Sequence, residues 1–155
     1  MYVYRVSVDS INKYMSVLQV SSRCKYGILA TVELAKVFKA GSLTISQIAM
    51  RQHIPARFLE AILRQLKLAG IVDSIRGKQG GYFLKVSPEK VTMGELFRLL
   101  EVQQIAEHES HTEGSFLNRI FKQASNAYVE SLSEVTLEQF VDKVAKDKST
   151  IDYAI

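Results

Sequence analysis

The sequence predicts a mainly α fold with a small β-hairpin: a winged helix-turn-helix followed by a long C-terminal helix suited to dimerisation. Three observations carry this. Two apolar patterns at helical spacing are joined by a short turn at His53-Ile54. Straight after them, two β-rich runs flank the glycine-rich stretch Arg76-Gly77-Lys78-Gln79-Gly80-Gly81. Further on, a long apolar stripe runs from Leu117 to Leu132.

Residues 1–19 read as an N-terminal extension with two open readings. Tyr2-Val3-Tyr4-Arg5-Val6-Ser7-Val8 is rich in β-formers, whereas Ile11, Tyr14, Met15 and Leu18 recur at helical spacing. Met15 is also an alternative start. From there the signals sharpen. Ser22 is placed to cap a helix whose Tyr26, Ala30, Leu34, Val37 and Phe38 share one face, and Gly41 to stop it. Thr44-Ile45-Ser46-Gln47 is a capping box, because Thr and Gln three apart satisfy each other's backbone ends; it opens a short helix to about Gln52. Pro55 suits the first turn of a third helix, where its missing N–H costs nothing. Leu59, Ile62, Leu63 and Leu66 form that helix's buried stripe, and Gly70 ends it.

Ile71-Val72-Asp73-Ser74-Ile75 and Tyr82-Phe83-Leu84-Lys85-Val86 read as the strands of a hairpin with a flexible tip, which in this position is a wing. Thr92-Met93-Gly94-Glu95 caps a helix through Leu96, Leu99 and Leu100; residues 103–114 are polar and expected to be loop. Ser115 is a candidate cap for the long helix, with Leu117, Ile120, Phe121, Ala124, Tyr128 and Leu132 on one side. Its apolar side outlasts what a winged helix of this size requires, which favours a homodimer interface. Thr136 to Gln139 begins a last, short helix bearing Leu137, Phe140, Val141 and Val144. The resulting organisation is an extension (1–19), a winged helix-turn-helix (20–102), a loop (103–114) and a C-terminal helical part (115–155).

With 155 residues, 47% hydrophobic and 23% charged, the chain has material for a core and is not of disordered composition. No run is long and apolar enough for a membrane span, and residues 1–20 lack a signal-peptide apolar core. One cysteine permits no intramolecular disulfide, so a reducing, cytoplasmic setting is expected. The formal net charge of +4 is unevenly spread: residues 1–90 hold 14 Lys/Arg against 5 Asp/Glu, residues 91–155 hold 6 against 11. A basic half joined to an acidic half suggests that the first half meets a polyanion. There is no phosphate loop after a strand, no nucleophile–base pair and no HExxH, so an enzyme is not expected.

Ser22-Arg23-Cys24-Lys25-Tyr26-Gly27, Phe58-Leu59-Glu60, and Gly70-Ile71-Val72 leading to Ser74-Ile75-Arg76-Gly77-Lys78-Gln79-Gly80-Gly81-Tyr82 resemble the IscR/NsrR/CymR family of winged-helix regulators, over about Val20 to Ala145. The resemblance implies a homodimer on partly palindromic operators, with the third helix in the major groove and the wing near the minor groove. It makes residues 103–114 a sensor-type loop. It also implies an iron–sulfur cluster held by three cysteines in that loop. Here the sequence departs, since residues 101–118 contain no cysteine, and no cofactor is expected.

Candidate DNA contacts follow from chemistry and position. Arg57, Phe58, Glu60 and Arg64 lie on the third helix; Arg57 can donate to guanine and Glu60 can accept from cytosine. The resemblance marks Glu60 as a position that discriminates operator classes. Arg76, Lys78 and Gln79 lie on the wing, and Ser22, Arg23 and Lys25 at the first helix's start can reach phosphate. Cys24, near a helix N-terminus and between two cations, is expected to favour its thiolate. A sensor site for a metal or an iron–sulfur cluster, built from Cys24 of one subunit with His108 and His111 of the other in a loop that also holds Glu107, Glu109 and Glu113, is one reading; an inert Cys24 is the favoured one. The rival to DNA binding is a winged helix that grips a protein partner, which the +9 balance of residues 1–90 disfavours.

Overall fold

The computed structural model describes residues 20–77, 80–108 and 116–152, and their side chains except those of 102–108, 116–118, 121 and 147–152. The N-terminal extension, Lys78, Gln79, His111 and Ser115 lie outside the described residues, as does the side chain of His108. In chain order the elements are α1 (Ser22–Lys36), α2 (Ile45–Gln52), α3 (Ala56–Leu68), β1 (Val72–Ile75), β2 (Gly81–Leu84), a 3-10 turn (Pro88–Lys90), α4 (Met93–His108), α5 (Phe116–Ser133) and α6 (Leu137–Asp152). This is the winged helix-turn-helix expected.

α1 is the hub. Residues 27–34 are all buried, and the helix packs against α2, α3, α4, α6 and β2. The stripe Leu59, Ile62, Leu63 and Leu66 closes the core from α3, each residue at most 1% exposed. Burial of side chains of this size contributes about 1.5–3 kcal/mol apiece.

Helix ends depart from the sequence reading in several places. Ser21, one residue before the expected Ser22, is the N-cap of α1, its hydroxyl accepting from the Cys24 N–H at 3.1 Å. α1 stops at Lys36 and the chain turns through Lys39 at φ 61°, so Gly41 does not end the helix. α4 continues to His108, six residues into the expected loop. Val102-Gln103-Gln104-Ile105-Ala106-Glu107 contains good helix formers and no glycine or proline to interrupt the ladder. The Thr44–Gln47 box is formed in both directions, 2.8 and 3.1 Å. So is the Thr136–Gln139 box, at 3.1 and 3.2 Å. At Thr92 the hydroxyl accepts from the Glu95 N–H at 3.1 Å. The helix after Thr136, expected to be short, has 16 residues.

β1 and β2 pair antiparallel in the register Val72↔Leu84 to Ile75↔Gly81. Leu43 adds a third rung, exchanging backbone hydrogen bonds with Tyr82 at 2.9 and 2.8 Å. Gly81 is required there, because a Cβ would come within 2.8 Å of the Leu43 carbonyl. At the tip Gly77 takes φ 111°, a backbone region open to glycine.

The long helix divides its apolar stripe. Towards its C-terminus Val129 is buried, Tyr128 and Leu132 are half-buried, and Tyr128 meets Phe97 of α4 edge-on with centroids 5.1 Å apart. Towards its N-terminus Ile120 is 44% exposed and Ala124 is exposed. α6 is anchored by Leu137, fully buried, and by the Leu137 N–H donating to the Val91 carbonyl at 2.7 Å.

Candidate nucleic-acid interface

The turn before α3 places that helix. His53 takes the left-handed conformation, φ 53°, ending α2; Pro55, at φ −60°, stands as N-cap one residue before the helix, where its fixed φ suits the entry. With Leu59, Ile62, Leu63 and Leu66 turned inward, the 100° step of a helix throws Arg57, Ala61, Arg64 and Leu68 to the opposite side, and all four are exposed. Glu60 is exposed on one flank and Phe58 on the other, facing α1. Phe58 lies 5.9 Å from the Tyr26 ring, and the Arg57 guanidinium carbon sits 5.0 Å from the Phe58 centroid. No residue on this outer face needs to be charged for folding, yet two of the four are arginines.

Arg76 stands exposed at the end of β1. The wing is braced to α3 by Lys67, whose ammonium reaches the Asp73 carboxylate at 2.9 Å and donates to the Ser74 hydroxyl at 2.7 Å. The Asp73 carboxyl is held below its ordinary value, chiefly by the hydrogen bond it accepts from the Lys67 ammonium and then by the one it accepts from the Ser74 N–H.

At the start of α1, Ser22 is exposed and Arg23 and Lys25 are half-buried. Arg23 is oriented rather than loose: its guanidinium donates to the Gln65 side-chain oxygen at 2.6 Å, and the Gln65 amide donates onward to the Leu99 carbonyl at 2.6 Å. The Ser21 cap is itself held from α4, its N–H and hydroxyl donating to the Glu101 carboxylate at 3.0 and 2.6 Å. Sequence reasoning passed over Ser21, Gln65 and Glu101. Partners 42 and 80 residues apart leave no local pattern to read.

The thiolate expectation for Cys24 is overturned. The residue is fully buried, and burial pushes its thiol up to about 12, helped by the adjacent Glu101 carboxylate. The helix N-terminus and the flanking cations are outweighed because Arg23 and Lys25 point elsewhere around α1 while the thiol faces the core. Of the three sensor candidates, Cys24 is in that core, His108 ends α4, and His111 lies outside the described residues.

An inward-packed third helix with an exposed basic outer face, followed by a braced two-strand wing, defines a winged helix-turn-helix protein. The comparisons give the family. The chain matches Rrf2, described as iron-dependent transcriptional regulator, over residues 20–143, and belongs to that family. It is 36% identical over 84 residues to the HTH-type transcriptional regulator CymR of Bacillus subtilis, a match covering 54% of this chain and 61% of that protein. The chain thus spans under two thirds of that relative's length in the aligned part. Among solved structures, IscR of T. potens superposes with TM-score 0.66 at 30% identity, covering 80% of this chain and 86% of that one. The B. subtilis CymR structure gives 0.65 at 31%, covering 80% and 96%. The resemblance seen in the sequence therefore holds, and the family is one of transcription regulators, not enzymes.

The donor set does not fit the three-cysteine cluster that the resemblance implies. The chain has one cysteine, buried and held as the thiol. Among the described residues no three His, Cys, Asp or Glu side chains gather into a metal-binding group. No helix among the described residues is long and apolar enough to cross a membrane.

Proposed function

We propose that this protein is a sequence-specific DNA-binding transcription regulator that acts as a homodimer on partly palindromic operators. The observation that carries the reading is the exposed basic face of α3, Arg57 and Arg64, continued by Arg76 on the wing. In proteins of this fold the third helix enters the major groove, where arginine takes guanine and glutamate accepts from cytosine, the roles assigned to Arg57 and Glu60. Arg76 and the tip residues Lys78 and Gln79 reach the neighbouring backbone or minor groove. Ser22, Arg23 and Lys25 meet phosphate at the start of α1. The exposed N-terminal part of α5, with Ile120 and Ala124, supports pairing with a second copy through that helix. Two copies then present the same basic surface twice, which is the geometry a palindrome matches.

Mobility shift against double-stranded fragments of the source genome tests the DNA claim. Discrete complexes that resist competitor DNA are expected, and complexes that non-specific DNA removes as readily would remove the sequence specificity. Sedimentation at micromolar concentration tests the dimer: a two-chain mass is expected, and a monomer mass contradicts it.

A further inference from the structure

Phe58 is 43% exposed in the first turn of α3, although an aromatic ring left in water forgoes the burial a core position would give it. It is also held. The Tyr26 ring lies 5.9 Å away at an interplanar angle of 41°, and the Arg57 guanidinium sits over the ring at 5.0 Å. Each contact removes rotamer freedom from Phe58 and Arg57 before any partner arrives, so the pair is presented as one stacked unit.

The chemistry narrows what such a unit can meet on DNA. A phenyl ring offers a phosphate no donor, so its contact there is apolar. In the major groove the apolar feature of the base edges is the 5-methyl group of thymine, which phenylalanine is suited to take, as arginine is suited to guanine O6 and N7. The first residues of the third helix are the ones that reach base edges in this fold. Arg57 and Phe58 are consecutive and stacked, so the features they take lie on neighbouring bases. Resting on the DNA-binding reading above, we propose that Phe58 is a specificity-determining residue that takes the 5-methyl group of a thymine next to the base contacted by Arg57.

The test uses duplexes that the full chain selects from a random pool at low salt. Each thymine is replaced singly by deoxyuridine, which lacks only the methyl group, and dissociation constants are measured by fluorescence anisotropy for wild type, Phe58→Leu and Phe58→Ala. One thymine per half-site is expected whose replacement weakens the wild type about fourfold, the worth of one buried methyl. Phe58→Ala binds the thymine duplex more weakly and does not distinguish it from the uridine duplex, and Phe58→Leu falls between. A wild type indifferent to every methyl overturns the proposal, as does an alanine variant that keeps the full discrimination. Circular dichroism checks folding; if the alanine variant is unfolded, undiminished discrimination by Phe58→Leu overturns the proposal and reduced discrimination supports it. A pool that yields no bound duplex at all fails the DNA-binding reading first, and the assignment of Phe58 with it.

Discussion

Lys36 and Arg51, between α1 and α2, converge on the buried carboxylate of Glu33 at 2.6 and 3.4 Å. Arg57, Arg64 and Arg76, on α3 and the wing, are exposed and enter no ion pair among the described residues. Within one small domain, cations on the inner side are neutralised and cations on the outer side are left open. Glu33 also accepts from the Gln52 amide at 2.6 Å, so the inner cluster is part of what fixes α2 against α1. Gln52 is buried with it, and its side-chain oxygen has no hydrogen-bond partner among the described residues. The difference separates folding from function: one set of charges holds the helix-turn-helix together, and the other contributes little to the fold and stays available to a polyanion.

The largest effect is expected on the inner side. Glu33→Ala leaves the Gln52 amide unsatisfied and two half-exposed cations facing each other, and should cost about 2–3 kcal/mol in denaturant unfolding. The salt dependence of DNA binding by the folded fraction should be unchanged. A shallower salt dependence would erase the division of labour. On the outer side, Arg76→Ala should alter stability by no more than about 0.5 kcal/mol while weakening operator binding by at least about 1 kcal/mol in anisotropy titrations. Unchanged affinity would take the wing out of the interface.

Cys24 sharpens the inner side further. Its thiol sits near 12 in the folded chain against an ordinary 9.0, so the folded state keeps the proton that the unfolded state releases. Its contribution to stability is complete below about pH 9 and is lost as pH rises towards 12. Wild type should therefore fall relative to Cys24→Ala above pH 9, by at most about 1.4 kcal/mol per pH unit. At neutral pH a thiol reagent should label Cys24 only after denaturation; rapid labelling of the native protein would contradict its burial. The smallest effect is at the wing brace. Lys67→Met should leave stability unchanged within error, as exposed ion pairs do, while the Asp73 carboxyl, followed by NMR, moves upward but stays below its ordinary value because the Ser74 N–H bond remains. An Asp73 titration that does not move would show that Lys67 is not what lowers it.

Local signals were legible in the sequence. The Thr44–Gln47 and Thr136–Gln139 boxes, the Leu59–Leu66 stripe and the glycine-marked hairpin each depend on neighbours within a few residues, and each formed where expected. The ends of α1 and α4 were less so. Lys39 accepts a left-handed turn normally reserved for glycine, and a polar run with helical propensity continues a helix as readily as it makes a loop. What tied the candidate interface to the rest of the fold was not legible at all. Glu101 reaches Ser21 and Gln65 reaches Arg23 only because α1, α3 and α4 pack together, and no spacing along the chain encodes that. Nor could position in sequence show that the thiol of Cys24 turns inward, which reverses the expected sign of its pKa shift.

The most direct test of the outer face is the slope of log affinity against log salt for a selected duplex, measured for wild type and for the triple variant Arg57→Ala, Arg64→Ala, Arg76→Ala. Each cation that neutralises a phosphate contributes roughly 0.9 to that slope. A steep wild-type slope that becomes shallower by about 1–3 in a folded triple variant, with affinity falling sharply, is the predicted result. A triple variant that binds with the wild-type affinity and the wild-type slope would contradict it.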